Sequence, residues 1–502
     1  MRVLMLGWEF PPHISGGLGT ACFGLTQGLS HHDVDVLFVV PRARGDEDQR
    51  FVQVVGANQV PIYEIVREER QAERAESTRR TKLARRRARA QKKTSPPKPG
   101  DPADAEAWER TIESLEILEI DSLLSPYMSE QAYLERRKQH SERVESKSAA
   151  QAQAEAAVED LKQLLAPYRE VAGGVAGGAL EAAENLVSRG TLEFSGFYGP
   201  DLMSEVARFA LAVGHIARTQ TFDVIHAHDW MTVPAGLVAA RITRKPLVVH
   251  VHACEYDRSG EHVNSRVRDI EQLGLDGADR VVCVSHYTKN IVRTRYRVDP
   301  AKLRVVHNAV THSQQVEILH VEKPIEEPIV LFLGRVTFQK GPDYFLEAAA
   351  RVVKKDPHVK FVMSGSGDML PVMIERSARL GLARHMHFTG FLKGADVERM
   401  YAMADIYVMP SVSEPFGISP LEAMALDTPV IMSRQSGVSE ILRNALKVDF
   451  WDVDDMANKI LALLRYSALR EQLVEEGRDE IQNIRWDYPA GLVRDIYREL
   501  VA

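Results

Sequence analysis

The sequence predicts an α/β protein made of two doubly wound parallel-sheet units, and three observations carry that expectation. At 502 residues the chain is too long for one core, since domains usually run to ~100–200 residues. Short unbroken apolar runs alternate with helical stretches in two separate series, the pattern of strands buried on both faces. A charged, Pro-punctuated linker at residues 324–328 divides the two series. With 45% hydrophobic and 26% charged residues, the composition excludes a wholly disordered, collagen-like or multi-span membrane chain. A net charge of −7 argues against a polycation that seeks nucleic acid. The three cysteines form no CxxC pair, so neither a disulfide framework nor a zinc ribbon is expected, and a reducing cytosol fits. The apolar start at residues 1–7 is broken at once by Trp8-Glu9 and Pro11-Pro12, too short for a signal-peptide core. No apolar run approaches the ~18 residues of a membrane span. A cytoplasmic protein without a span is the expectation.

In chain order, residues 3–6 read as a strand, 14–19 as a Gly-rich loop, 21–30 as a small-residue helix and 34–40 as a β-branched strand. The rhythm then breaks. Residues 67–98 hold 13 Lys/Arg against 4 Asp/Glu, and an Ala/Glu/Lys-rich stretch continues to about residue 186. This composition predicts a charged helical insertion over 67–186, a solvated arm rather than a nucleic-acid site. A helix at 201–218 and strands at 223–227, 246–251, 280–284 and 303–307 complete the first unit, residues 1–66 and 187–323. In the second unit, residues 324–484, strands are expected at 329–333, 359–364, 385–388, 406–409 and 429–432. Its helices start near Pro342, Asp368, Ala395, Ile418 and Ser436. A helix over 485–502 ends the chain. Two such units enclose a cleft outside the carboxyl ends of their strands, where a ligand binds.

The chemistry-bearing residues cluster at those strand ends. Gly334-Arg335 follows a strand, and Lys340-Gly341 opens the next helix, an arrangement of fixed charge and backbone N–H groups suited to phosphate. Glu414 closes a strand-to-helix loop, Gly417 permits close backbone approach beside Ile418, and Glu422 lies eight positions after Glu414 on the helix. Gly16 and Gly17 form a Gly-rich turn into a helix, but neither GxGxxG nor GxxxxGK[ST] spacing occurs. His226, His228 and Asp229 end one strand, and His250 and His252 end another. The spacing of His226 and His228 suits zinc, but no third ligand is evident nearby in the sequence, so no metal is expected.

Taken together, the motifs SGGLGT, HAHDW, VHVHACEYDRSG, VHNAV, GRVTFQKG, SGSGDM and SEPFGISPLEA occur in a specific order. The chain resembles the retaining glycosyltransferases with two facing Rossmann-like domains (the GT-B fold), among them the glycogen and starch synthases. The resemblance covers roughly residues 1–60 and 190–500; the arm between them stands outside it. It implies that Arg335 and Lys340 hold a donor diphosphate, Glu414 the donor sugar's hydroxyls and Glu422 the ribose. By the same resemblance, His252 lies over the donor sugar, Asp229 belongs to the HAHDW motif and Asn308 sits at the sugar's edge. Gly16 and Gly17 approach the diphosphate, and Gly417 with Ile418 offers backbone amides. It further implies that residues 485–502 cross back onto the first domain. Where glycogen synthases carry a Lys two residues before the paired Gly and an Asp three after it, this chain has Ile14 and Thr20. That departure draws it toward the sucrose-synthase-like and mannosyltransferase-like group.

The function expected is retaining transfer of glucose from ADP- or UDP-glucose to an α-glucan in glycogen biosynthesis, with no metal or other cofactor. Two charged groups then do what a divalent ion does elsewhere. Alternatives are a hexosyltransferase using another sugar nucleotide, such as GDP-mannose, on a lipid or small saccharide, and a catalytically silent sugar-nucleotide-binding protein. Expected partners are the nucleotide sugar and a saccharide acceptor, without nucleic acid, and self-association through the insertion is one use for the arm.

Overall fold

The computed structural model describes residues 1–13, 16–60, 194–195, 202–310, 321 and 323–502. The insertion expected at 67–186 lies outside the described residues.

The first domain contains a seven-stranded parallel sheet: β1 (Arg2–Leu6), β2 (Asp35–Val40), β3 (Gln53–Gly56), β4 (Val224–His228), β5 (Leu247–Val251), β6 (Arg280–Cys283) and β7 (Leu303–Val305), in the spatial order 3-2-1-4-5-6-7. Strand order reverses between β1 and β4, so chain connections diverge there and leave a crevice at the strands' carboxyl ends. Leu4, Leu6, Ile225, Leu247 and Val249 bury one face against the helices Leu202–Thr219 and Val233–Thr243. Val3, Met5, Val36, Phe38 and Val224 bury the other face, which meets the helix Gly17–Ser30. Burial on both faces explains why these strands read as unbroken apolar runs.

The second domain contains a six-stranded parallel sheet: β8 (Ile329–Leu333), β9 (Lys360–Ser364), β10 (Met386–Gly390), β11 (Ile406–Met409), β12 (Val430–Ser433) and β13 (Leu446–Val448), ordered 10-9-8-11-12-13. Its switch point lies between β8 and β11, whose loops carry Arg335 and Glu414. The helix expected near Ser436 is instead a single 3₁₀ turn, Gly437–Glu440. The backbone there is committed elsewhere: a Cβ on Gly437 would stand 2.2 Å from Pro415 O and 2.5 Å from Ser285 Cβ.

The last helix, Asp487–Val501, packs on the first domain. Trp486, Ala490, Val493, Ile496 and Tyr497 join the cluster of Val3, Met5 and Leu25. Glycine makes the approach close: a Cβ on Gly24 would fall 2.1 Å from Trp486 Nε1 and one on Gly28 2.6 Å from Trp486 O. Among the described residues, no helix is long and apolar enough to cross a membrane.

Candidate active site

On the first domain, Asp229 turns the chain just beyond β4 at a φ of 59°. Its Oδ1 accepts hydrogen bonds from the backbone N–H groups of His252 (2.7 Å) and Ala253 (3.2 Å). Arg258 lies 3.8 Å from Asp229 Oδ2, while Nη1 donates to Glu271 Oε1 (3.1 Å) and Nη2 to Ala253 O (2.8 Å). Burial pushes the Glu271 carboxyl up to about 7, against the pull of Arg258 and Tyr296. Asp229, expected from the sequence to be catalytic, has its carboxylate engaged within the first domain. The carboxylate holds the backbone amides of His252 and Ala253 and faces the Arg258 guanidinium, and so fixes the chain at His252.

His226, His228, His250 and His252 line one face of β4 and β5, with successive ring centroids 4.3–5.2 Å apart. Burial lowers the pKa of each, so all four are neutral near pH 7; for His252, Asp229 works in the other direction. His228 Nδ1 meets His252 Nε2 at 2.9 Å, and His226 Nδ1 meets Tyr497 Oη of the last helix at 2.5 Å. The sequence shows that His226 and His228 alternate on one strand, but the side-by-side placement with His250 needs the register that aligns it with His228.

On the second domain, three strand-end loops converge. Beyond β8 the chain passes Gly334 and Arg335 into a 3₁₀ turn, Phe338–Lys340, then Gly341 at a φ of 64°. Lys340 Nζ donates to Glu414 Oε2 at 2.5 Å, and Ser411 Oγ donates to the same oxygen at 3.0 Å. Arg335 Nη2 donates to Gln339 Oε1 at 3.2 Å. The loop after β9 lies against this turn: a Cβ on Gly365 would stand 1.8 Å from Gly334 O. Gly417 has a φ of 97°, open to glycine and strained for other residues, and its Cβ position is 3.0 Å from Glu414 Cγ. Ile418 starts the helix Ser419–Ala425, which carries Glu422. Burial pushes the Glu422 carboxyl up to about 7, opposed by the Tyr401 hydroxyl.

The domains meet along the loop that bears Glu414. Ser413 Oγ donates to Asp257 Oδ1 at 2.7 Å and pairs with Tyr287 Oη at 3.0 Å. Ser285 Oγ donates to Pro415 O at 2.6 Å. Glu440 accepts from the amides of His286 (2.9 Å) and Tyr287 (2.7 Å) and pairs with His307 Nε2 at 2.8 Å. Burial opposes it, but these bonds hold the Glu440 carboxyl below its usual range. Ser285 caps the helix His286–Arg295 from the first domain while Glu440 reaches its first turn from the second. Asp257, Arg258, Ser413 and Glu440 were missed from sequence. Asp257 and Ser413 lie inside quoted motifs, but their partnership spans 156 positions.

Thus Lys340, Glu414, Arg335 and Gly417 come together. His252 is tied to that group through the turn ending at Asp257 and its bond to Ser413. Asn308 is buried, next to His307, which holds Glu440. Gly16 and Gly17 open the 14-residue helix Gly17–Ser30, which has no side-chain cap and no acidic residue in its first turn. Both are exposed, and no described atom stands within 4 Å of where a Cβ on either would lie. The polar edges of both switch points thus present cations, amides and carboxylates on facing lips, an arrangement able to hold an anionic, polyhydroxylated ligand.

Comparison with known proteins gives three family matches: "Glycosyl transferases group 1" over residues 315–480, "Glycosyltransferase Family 4" over 172–314, and "Starch synthase catalytic domain" over 2–84. A glycosyltransferase of Methanocaldococcus jannaschii is 31% identical over 294 residues, 55% of this chain and 75% of the relative. A D-inositol 3-phosphate glycosyltransferase of Salinispora tropica is 28% identical, over 58% of this chain and 65% of its own length. Among solved structures, the sucrose-phosphate synthase of Thermosynechococcus elongatus superposes with a TM-score of 0.60 at 16% identity, over 99% of this chain and 98% of the other. TarM does so with a TM-score of 0.60 at 12% identity, also over 99% and 98%. At these identities the superpositions speak for a shared two-domain fold.

Proposed function

Because this chain belongs to the glycosyltransferases with two Rossmann-like domains, we propose that it transfers a hexosyl group from a nucleoside-diphosphate sugar with retention at the anomeric carbon. The observation that carries this reading is the Lys340–Glu414 pair at 2.5 Å on the switch-point loop, one residue from the Ser413–Asp257 bridge between domains. In the proposed cycle the diphosphate takes Lys340 together with Arg335. Glu414, released from its ammonium partner, accepts hydrogen bonds from hydroxyls of the donor sugar. Glu422 receives the ribose.

As the anomeric C–O bond breaks, negative charge grows on the diphosphate. Two cations and the N-terminus of the helix Gly17–Ser30 meet that charge, stabilising the transition state more than the ground state. No divalent ion is needed at the diphosphate, because fixed side chains supply the charge. The acceptor hydroxyl attacks from the same face, and its proton passes to the departing phosphate oxygen. His252, kept neutral by burial, donates from Nδ1 toward the donor sugar when His228 donates to its Nε2. Closing the domains excludes water from this step. With three buried free thiols, the setting proposed is the cytosol.

For the acceptor, the reading is an α-glucan elongated from ADP- or UDP-glucose, supported by the starch-synthase match over residues 2–84. A second reading is favoured by the D-inositol 3-phosphate glycosyltransferases among the relatives, namely a small phosphorylated polyol. Incubating the protein with ADP-, UDP- and GDP-sugars, each with a maltooligosaccharide or inositol phosphate, and measuring nucleotide release decides between them. Acceptor-dependent release with the maltooligosaccharide and an α-linked product supports the glucan reading. Release with inositol phosphate alone replaces it, and an inverted product overturns the retaining mechanism.

A further inference from the structure

Beneath the lip, on the sheet face covered by the helices Gly17–Ser30 and Asp487–Val501, lies a group of imidazoles of which the proposed transfer uses one, His228, and that only through its bond to His252. His226 and His228 are 0% exposed and His250 is 1% exposed. Among the described residues, His226 Nε2, His228 Nε2 and both ring nitrogens of His250 have no hydrogen-bonding partner. Such a concentration of bare, buried nitrogen is unfavourable unless something occupies it.

We propose that His226, His228 and His250 form a structural site for one transition-metal ion of the zinc type. Each can contribute one ring nitrogen so that the three ligand atoms lie within 4.8 Å of one another. An all-imidazole set suits zinc and its neighbours and disfavours magnesium or calcium, which take oxygen ligands. The second layer matches as well. A metal-bound histidine donates its other N–H to a fixed acceptor, and the Nδ1 atoms of His226 and His228 face Tyr497 Oη and His252 Nε2. Donation from both Nδ1 atoms leaves both Nε2 lone pairs free for the ion. The expectation of no metal rested on the lack of a third ligand near His226 and His228; β5 brings it through strand register. An ion here clamps the last helix to the sheet through Tyr497 and fixes the tautomer of His252. A second grouping, Cys22 with His228 and His252, is equally compact, but its His228–His252 nitrogens already bond each other.

The test uses the full chain, purified without chelator, dialysed against metal-free buffer and titrated with zinc chloride alone, with cobalt as the visible-absorbing probe. Bound metal reaches one equivalent per chain, and cobalt gives the absorption of a low-coordinate nitrogen site. His250→Ala loses that equivalent. Tyr497→Phe keeps all three ligands but removes the outer hydroxyl, and weakens zinc binding by about 10–100-fold. Cys22→Ser, and His13→Ala in the His13/Asp46/Glu47 cluster, retain the full equivalent. If His250→Ala does not fold, Tyr497→Phe decides. Uptake well below one equivalent in the wild type overturns the proposal and leaves a buried water as the occupant. Zinc that persists at wild-type affinity in Tyr497→Phe, or departs with Cys22→Ser, overturns it too. Metal content is measured without substrate, so the outcome stands apart from that of the glycosyl-transfer assay.

Discussion

The two lips of the cleft are built on opposite electrostatic plans. On the first domain the charges are enclosed and fully engaged: the Asp229 side chain is 6% exposed, Glu271 8% and Arg258 12%, and each is tied to its neighbours. On the second domain, Lys340 is 20% exposed at its side chain and shares one carboxylate with a serine hydroxyl. A guanidinium locked among carboxylates and carbonyls sets geometry. An ammonium at a rim, with one acidic partner, is free to exchange it for a stronger anion. In the proposed cycle that contrast separates scaffold from reagent.

The sharpest challenge to that division is Arg258→Ala. It leaves Asp229, Glu255 and Glu271 buried without their shared cation, and removal of one partner from a buried network costs about 3–5 kcal/mol. Urea unfolding will show the loss, and a stability change near zero would make this lip no scaffold. Next comes Lys340→Ala, for which nucleotide-release rates fall about 10²–10³-fold, or roughly 2.7–4 kcal/mol by analogy with an oxyanion donor. Its unfolding midpoint moves less than that of Arg258→Ala, because Glu414 alone loses its cation and keeps the Ser411 hydroxyl. Equal stability losses in the two variants would erase the comparison.

A smaller effect is expected at the seam. Ser413→Ala removes a hydroxyl that donates to Asp257, a bond to a charged group worth about 1.5–3 kcal/mol. Small-angle scattering and donor affinity will report a looser domain pair, while the melting of each domain stays close to wild type. A further test lies in pH. Glu271 rises from 4.5 to about 7 on folding, so the folded state holds a proton that the unfolded chain releases first. Its contribution to stability is complete below pH 4.5 and fades as pH rises toward about 7. Glu271→Gln should flatten that part of the stability-against-pH curve. Wild-type stability rising across the same window because of this residue would reverse the sign.

Much of the frame was legible in the chain because parallel strands covered on both faces must be apolar throughout, as residues 3–6 and 329–333 are. Lys340, Arg335 and Glu414 were legible too, since each abuts the end of such a run. Less visible was anything decided by distant partners. Asp229 looks catalytic in sequence, and only the amides of His252 and Ala253, 23 and 24 positions away, reveal its occupation. The 3₁₀ turn at Gly437–Glu440 was misread as a helix start because its apolar neighbours suit a helix, while the clash that forbids continuation comes from Pro415 and Ser285. Edge strands β3 and β13 span only four and three residues, too short to leave a periodic signature.

The first turn of the helix His286–Arg295 draws its serine cap from its own domain and its carboxylate from the opposite one. Swinging the domains apart would strip the His286 and Tyr287 amides of Glu440 and leave the positive pole of that helix facing solvent. The domain pair is therefore biased toward closure even before substrate arrives, and because these bonds lie at the exposed edge of the seam, added salt will weaken that bias.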